Sequence, residues 1–328
     1  MIVVTGGAGF IGSALVWALN QRGQENIIIV DNLNTTEKWK NLRALKYVDY
    51  YSREDFLDLI KHRGLPWMLS AILHMGACSA TTESDSSYLM KNNYEFTKIL
   101  SEYAIASGVR FLYASSAATY GDGELGFNDS CKELDKLRPL NMYGYSKHLF
   151  DLHAARFQLF DKIAGLKFFN VFGPNEYHKG AQTSKIYKAF HEIREDGRIK
   201  LFKSHNSSYA DGESLRDFVY VKDVVKVVLD IMDNPLLNGL FNIGTGVPRS
   251  WNDLARAIGK SMPEHVAGNF IEYIGMPENL RNKYQYYTCA SIEKLRNAGI
   301  THEFMTLEES VADYIGNYLM NDRFLGDE

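Results

Sequence analysis

Cysteine is scarce in this chain, and what there is lies scattered. Cys78, Cys131 and Cys289 are odd in number, far apart and without any C-x-x-C spacing, which argues against a disulfide framework and against a cysteine zinc site. The nine histidines show no ligand spacing either, so no metal is expected. No apolar run approaches the ~20 residues of a membrane span, no basic tract marks a nucleic-acid partner, and Met1 enters a strand-forming run with no charged-then-apolar leader. A cytoplasmic location with no membrane and no nucleic acid is therefore expected. Internal repeats and low-complexity linkers are also lacking. What remains is the composition of a globular protein: 328 residues, 45% apolar and 23% charged with a formal net charge of −4, enough for one large or two modest domains.

The most informative stretch is Thr5-Gly6-Gly7-Ala8-Gly9-Phe10-Ile11-Gly12. It follows the β-branched run Ile2-Val3-Val4 and leads into the helical pattern Ile11, Leu15, Ala18, Leu19, so it reads as strand, tight turn and helix start. Such a turn builds a phosphate site: glycines let backbone approach a pyrophosphate, and the helix start offers unpaired N–H groups and a positive dipole end. The spacing Gly6-x-x-Gly9-x-x-Gly12 differs from the G-x-G-x-x-G of many dehydrogenases. A second strand, Ile27 to Val30, ends in Asp31, 19 residues after Gly12, close to where a carboxylate for an adenosine ribose is expected.

Further along, buried strands alternate with helical patterns. Ala71 to His74 runs into the small residues Gly76, Ala77 and Ser79; a helix spans Tyr88 to Ser107; and Arg110 to Ala114 delivers Ser115-Ser116 to a strand end. A helix from about Tyr143 to Phe160 and a strand Leu166 to Phe169 follow. The alternation predicts an α/β fold, a doubly wound parallel sheet with ligands at the carboxyl ends of its strands. After Asn170 the pattern loosens: a helix Thr183 to Glu195, the pair Leu201-Phe202, an exposed polar loop Ser204 to Ser214, a return to the sheet near Arg216 to Ile243, then helix Trp251 to Met262 and a charged C-terminal helix.

Tyr143 and Lys147 are spaced i, i+4 and share one helix face. A phenol with a pKa of about 10 is a poor base at neutral pH, but a nearby ammonium favours the phenolate by roughly 1–3 pKa units. The spacing alone decides nothing in a chain with 20 tyrosines, and Tyr94 to Lys98 repeats it. Tyr94, however, precedes the strand that ends in Ser116, whereas Tyr143 follows Ser116 by 27 residues; Tyr94 is read as packing or surface.

The glycine turn, Ser116, Tyr143 and Lys147 resemble the extended short-chain dehydrogenase/reductase family. Asp31-Asn32-Leu33, Asn92-Asn93, Ser115 to Gly121, Asn170-Val171-Phe172-Gly173-Pro174 and Arg216 to Val221 extend the likeness over most of the chain. The resemblance implies a Rossmann-type domain at residues 1–169 plus about 216–247, and a smaller, mostly C-terminal α/β nucleotide-sugar domain at about 170–215 plus 248–328. It implies a tightly bound nicotinamide cofactor held by Gly6, Gly9, Phe10, Ile11, Gly12, Asp31, Asn32, Lys38, Arg53, Met75, Gly76, Ala77, Cys78, Ser79, Asn92, Tyr143, Lys147 and Val171. Asp31 alone favours NAD, because a carboxylate repels a 2′-phosphate. Asn32, Lys38 and Arg53 can encircle such a phosphate, and NADP is the expected cofactor, with NAD the alternative.

Dehydratases of this family carry Asp-Glu just after the position of Ser116, since eliminating water needs an additional acid and base. Ala117 and Ala118 stand there, which disfavours dehydration. Four segments, Met75 to Glu83, Phe111 to Gly121, His178-Lys179-Gly180 and Tyr284-Gln285, resemble the branch that inverts C6 of an ADP-heptose for the inner core of bacterial lipopolysaccharide. Inversion there implies oxidation to a ketone, reorientation of that carbon and reduction on its other face, so two acid–base groups are useful: Tyr143 for one orientation and Lys179 for the other, with Ser116 on the substrate oxygen. The substrate contacts implied are Ser79, Ser116, Asn170, Lys179, Lys188, Leu201, Phe202, Lys203, Ser204, Arg216 and Tyr284, with the Arg216 fork on the diphosphate. An ion pair with a neighbouring carboxylate is the other reading of Arg216, and core packing that of Phe202. The resemblance to this branch implies a homopentamer. A UDP-hexose 4-epimerase, which needs no lysine like Lys179, and a non-catalytic NAD(P)-binding regulator are the alternatives.

Overall fold

The computed structural model describes residues 1–281 and 284–327. Its elements, in chain order, are β1 (Ile2–Thr5), α1 (Phe10–Gln21), β2 (Ile27–Val30), β3 (Asp49–Tyr51), α2 (Arg53–Asp58), β4 (Ala71–His74), α3 (Ser86–Leu89), α4 (Phe96–Ala106), β5 (Arg110–Ser116), α5 (Met142–Arg156), β6 (Ile163–Phe168), β7 (Asn170–Phe172), α6 (Lys185–Asp196), β8 (Ile199–Phe202), β9 (Leu215–Arg216), β10 (Phe218–Tyr220), α7 (Val221–Asp233), β11 (Gly239–Ile243), β12 (Arg249–Ser250), α8 (Trp251–Ser261), β13 (Ile271–Ile274), α9 (Glu278–Arg281), α10 (Glu293–Asn297) and α11 (Leu307–Asp313).

Seven parallel strands form the central sheet in the order β11-β6-β5-β4-β1-β2-β3. The order reverses direction beside β1, and that switch point leaves a crevice at the strand C-termini. Because side chains alternate across a strand, neighbouring residues feed different cores. Val4, Ile29 and Leu73 pack with Leu15, Leu19, Val224 and Val228 of α1 and α7 on one face. Val3, Ile28 and Ile72 pack with Phe56, Phe96, Leu100 and Phe150 on the other. Among the described residues, three short two-stranded sheets lie outside this one: β7 with β10, β8 with β13, and β9 with β12.

Several boundaries differ from the sequence reading. Strand β3 is an edge strand of three residues, too short and too polar to register as a hydrophobic run. The helix expected from Tyr143 to Phe160 ends at Arg156, because Gln158 turns the chain with φ of +54°; Leu159 and Phe160 beyond it pack on the core from a separate short turn. The helix expected from Tyr88 starts at Ser86, capped by Asp85, and widens into a π-turn over Met90–Glu95 before α4. Strand β6 begins at Ile163 and ends at Phe168, one residue short of the expected end. Among the described residues no helix is long and apolar enough to cross a membrane.

Candidate active site

A cleft of about 1210 Å³ opens over the C-terminal ends of the sheet strands. Its floor is the glycine turn. Gly6 has φ of +63°, and a Cβ there would lie 2.7 Å from the backbone of Gly76 at the end of β4. A Cβ on Gly12 would strike the Gly6 carbonyl. Bare backbone therefore faces the cleft at the start of α1, where the first-turn N–H groups have no helical partner. A cradle that any Cβ would fill suits the pyrophosphate of a dinucleotide.

At one end, Asp31 is pinned by three neighbours: the Ala8 N–H donates to it at 2.9 Å, the Asn32 N–H at 2.7 Å and the Lys38 ammonium at 2.7 Å. Asn32, Lys38 and Arg53 line this same end, with the Arg53 guanidinium donating to Asn92 and to Glu54. Met75, Gly76, Ala77, Cys78 and Ser79 continue along the wall. Asn93, rather than its cleft-lining neighbour Asn92, fixes that wall. Its amide accepts from the Cys78 N–H at 2.9 Å and donates to the Cys78 carbonyl and the Ser146 hydroxyl, each at 3.0 Å. The π-turn carries Asn92 and Asn93 together, a bulge of the kind often found at functional sites.

The Tyr143 side of the cleft follows from one close approach. A Cβ on Gly144 would sit 2.8 Å from the Ala118 carbonyl, so glycine lets α5 settle on the turn that follows Ser116. The Asn141 side chain caps this helix at the Gly144 N–H, 2.8 Å away. Ser116, Tyr143 and Lys147 consequently line the cleft together. Burial raises the Tyr143 phenol above its ordinary pKa while the Ser116 hydroxyl pulls it down. Lys147 is 3% exposed and donates to the Ala114 carbonyl at 2.7 Å. Burial pushes its pKa down to about 8, and the carboxylate of Asp151, one turn further along α5, opposes that shift. Asp151 is itself fully buried, accepting from Tyr113, Ser115 and the ammonium of Lys167.

Lys179 enters the cleft from the turn Tyr177–Gln182, its ammonium 5.2 Å from the centre of the Phe10 ring. Burial and the nearby Lys188 lower its pKa, and Glu176 raises it. Val171, Asn170, Lys188, Leu201, Phe202 and Tyr284 also line the cleft. Lys188 is exposed and donates to the Ala181 carbonyl at 2.7 Å. Phe202 is half-buried on the wall, not in the core, whereas Leu201 is a core residue that only borders the cleft.

Three expected contacts are not brought to the wall. Lys203 points to solvent, its N–H paired with Ile274 where β8 meets β13. Ser204 is absorbed in the loop, its N–H donating to Asp211 and its hydroxyl to the Asn206 carbonyl. Arg216 stands just behind the wall. Its guanidinium donates to the carbonyls of Leu215 and Gln285, and it lies 5.1 Å from the Tyr284 ring and 5.8 Å from the Trp251 ring. It makes no ion pair with a described carboxylate; the adjoining Asp217 instead accepts from Thr245, Gly246 and Ala290. The sequence reading missed Trp251, Lys185, Glu192 and Lys200, all on the cleft wall. The spacing of Lys185, Lys188 and Glu192 on one helix was a usable signal for two of them. Among the described residues no group of three or more His, Cys, Asp or Glu is placed to hold a metal.

The model of the NAD dependent epimerase/dehydratase family matches residues 2–244. The chain is 54% identical over 319 residues to the ADP-L-glycero-D-manno-heptose-6-epimerase of Nitratidesulfovibrio vulgaris, covering 97% of this chain and 98% of that protein. It is 47% identical over 328 residues to the protein of the same name from Fusobacterium nucleatum, covering 98% and 99%. Among solved structures, the Helicobacter pylori ADP-L-glycero-D-manno-heptose-6-epimerase superposes with a TM-score of 0.80 at 28% identity, covering 96% of this chain and 95% of that one.

Proposed function

This chain belongs to the NAD dependent epimerase/dehydratase family, and from that membership we propose that it inverts C6 of ADP-D-glycero-β-D-manno-heptose, giving the L-glycero epimer through a C6 ketone. The observation that carries the reading is a pair of proton-carrying groups from separate elements, Tyr143 on α5 and Lys179 on the 177–182 turn, lining one cleft.

A nicotinamide cofactor bound over the glycine cradle supplies reversible oxidation at the sugar carbon. Phe10, Ile11 and Gly12 offer first-turn N–H groups to its pyrophosphate, and Asp31 accepts from the adenosine ribose. Asn32, Lys38 and Arg53 favour NADP over NAD by meeting a 2′-phosphate. Ser116 and Tyr143 hold the sugar oxygen in one orientation, where the phenolate takes the hydroxyl proton and the phenol returns one. Lys147 favours that phenolate by its charge. After the carbon turns over, its oxygen meets Lys179, which performs the same proton exchange from its own side. A low-dielectric cleft strengthens each of these contacts.

The ADP end of the substrate lies toward Phe202, Lys188 and Tyr284, with Arg216 reaching the diphosphate once its guanidinium leaves the Gln285 carbonyl. The division into a cofactor domain, 1–169 plus about 216–247, and a substrate domain is supported by β11 joining the central sheet beside β6 while β8, β9, β12 and β13 stay outside it. The product serves lipopolysaccharide inner-core synthesis in the cytoplasm, and the enzyme is a homopentamer; both rest on resemblance.

The test is incubation of the protein with ADP-D-glycero-D-manno-heptose without added cofactor, following the heptose C6 and C7 protons by NMR. The L-glycero epimer should appear. No change, including after NADP and then NAD are added, overturns the assignment and turns attention to UDP-hexoses.

A further inference from the structure

Glu176 is the only acidic residue in the Asn170–Ser184 stretch, and it is fully buried. A buried carboxylate is costly unless it is paired and hydrogen-bonded, and this one is heavily engaged. Its oxygens accept from the Ser184 N–H and the Ser184 hydroxyl, both at 2.6 Å, and from the Tyr314 phenol at 3.1 Å. Ser184 is the N-cap of α6, so the carboxylate stitches the start of the 177–182 turn to the start of the next helix. Within the stitched loop, the Lys179 N–H donates to the Glu176 carbonyl at 3.0 Å. Gly180 turns the chain with φ of +54°, and the Thr183 hydroxyl closes back on the Gly180 carbonyl at 2.9 Å. Tyr177 stacks on Tyr314 from the C-terminal segment, which backs the loop from below.

The charges around Lys179 come from few directions. Lys188 on α6 repels its ammonium, His178 beside it is held neutral by burial, and no described carboxylate lies within ion-pair distance. Burial pushes the Glu176 carboxyl above its ordinary pKa, opposed first by Lys179 and then by the hydrogen bonds from Ser184 and Tyr314, and Glu176 in turn favours the Lys179 ammonium.

We propose that Glu176 is a positioning residue for Lys179: its buried carboxyl group closes the loop that carries the lysine and, when ionised, places a negative charge three residues from it in that loop. The proposal rests on Lys179 being the second acid–base group. Without Glu176 the loop loses its stitch, and a lysine already desolvated beside Lys188 gives up its proton too readily to act as an acid.

Reductive 13C-methylation of the folded protein, with Lys179→Arg to assign the signal, reads the titration of the Lys179 amine without any sugar. Glu176→Gln keeps the side-chain shape and removes the charge; the amine midpoint should fall by about one pH unit. Glu176→Asp, which keeps the charge, should restore most of it. An unmoved midpoint in folded Glu176→Gln overturns the proposal. Should that variant fail to fold, native protein gives a second reading: the Lys179 signal should show an additional step at acid pH as Glu176 takes up its proton, and a single step overturns the proposal. In turnover, the pH limb governed by Lys179 should move down in Glu176→Gln by the same amount. If the amine midpoint moves and the turnover limb does not, Glu176 is upheld and Lys179 is removed from the chemistry.

Discussion

The Lys38 ammonium donates to the Asp31 carboxylate at 2.7 Å and, with another proton, to the Asn32 carbonyl at 2.7 Å. One cation thus pairs with the carboxylate that would otherwise repel a 2′-phosphate while staying on the cleft wall. Cofactor-stripped protein should bind NADP more tightly than NAD. Lys38→Ala should weaken NADP by about tenfold or more, from the ~1.5–3 kcal/mol of a charged hydrogen bond, and change NAD little. Calorimetric titration of both cofactors checks this; tighter NAD binding by the native protein reverses the assignment.

Tyr143→Phe removes one hydroxyl beside Ser116 and leaves the glycine cradle intact. Turnover should fall by roughly 10²–10⁴-fold, the usual contribution of a positioned acid–base group, with the cofactor still bound. Steady-state assay and the absorbance of copurified cofactor read the two quantities separately.

Lys179→Ala should keep cofactor and nucleotide-sugar binding and lose epimerisation. Near-full turnover in that variant would take the lysine out of the mechanism and favour a single-base 4-epimerase reading.

Lys147 titrates near pH 8 because burial disfavours its ammonium. Below that pH it is charged and, in the proposed mechanism, supports the Tyr143 phenolate; above it the charge is lost and the phenol, already raised by burial, ionises less readily. Activity should therefore fall as pH rises past about 8. In Lys147→Arg, whose guanidinium stays charged, the part of the alkaline fall set by Lys147 should vanish, leaving only the limb set by Lys179, even where the maximal rate is lower. A pH–rate series on both proteins is the measurement.

The Asp151–Lys167 pair has both side chains 0% exposed. Asp151→Ala strands a buried ammonium together with the hydroxyls of Tyr113 and Ser115, and should cost about 3–5 kcal/mol of stability. Denaturant unfolding checks it; a loss below about 1 kcal/mol, the scale of an exposed pair, would mean that water reaches the site.

Local sequence determined the parts of this protein that depend on backbone shape and hydrophobic period. Gly6, Gly9 and Gly12 between a β-branched run and a helical one specify a phosphate-accepting turn, because no side chain fits where Gly76 and the Gly6 carbonyl press in. The runs Ile27–Val30 and Ala71–His74 specify buried strands because both faces of a parallel sheet are covered. Tyr143 and Lys147 share a helix face by arithmetic alone. Tertiary structure decided what depends on residues far apart in the chain. Asp151 and Lys167 find each other across two elements, Asn93 reaches Cys78, and Glu176 reaches Tyr314 138 positions away. Likewise, Arg216 stands behind the wall because the Gln285 and Leu215 carbonyls hold its guanidinium, and Lys203, one residue past the end of β8, is left exposed with its N–H paired to Ile274. Turn geometry and periodicity are written in neighbouring residues, whereas burial, charge pairing and the direction of a long side chain are set by whatever the fold packs against it.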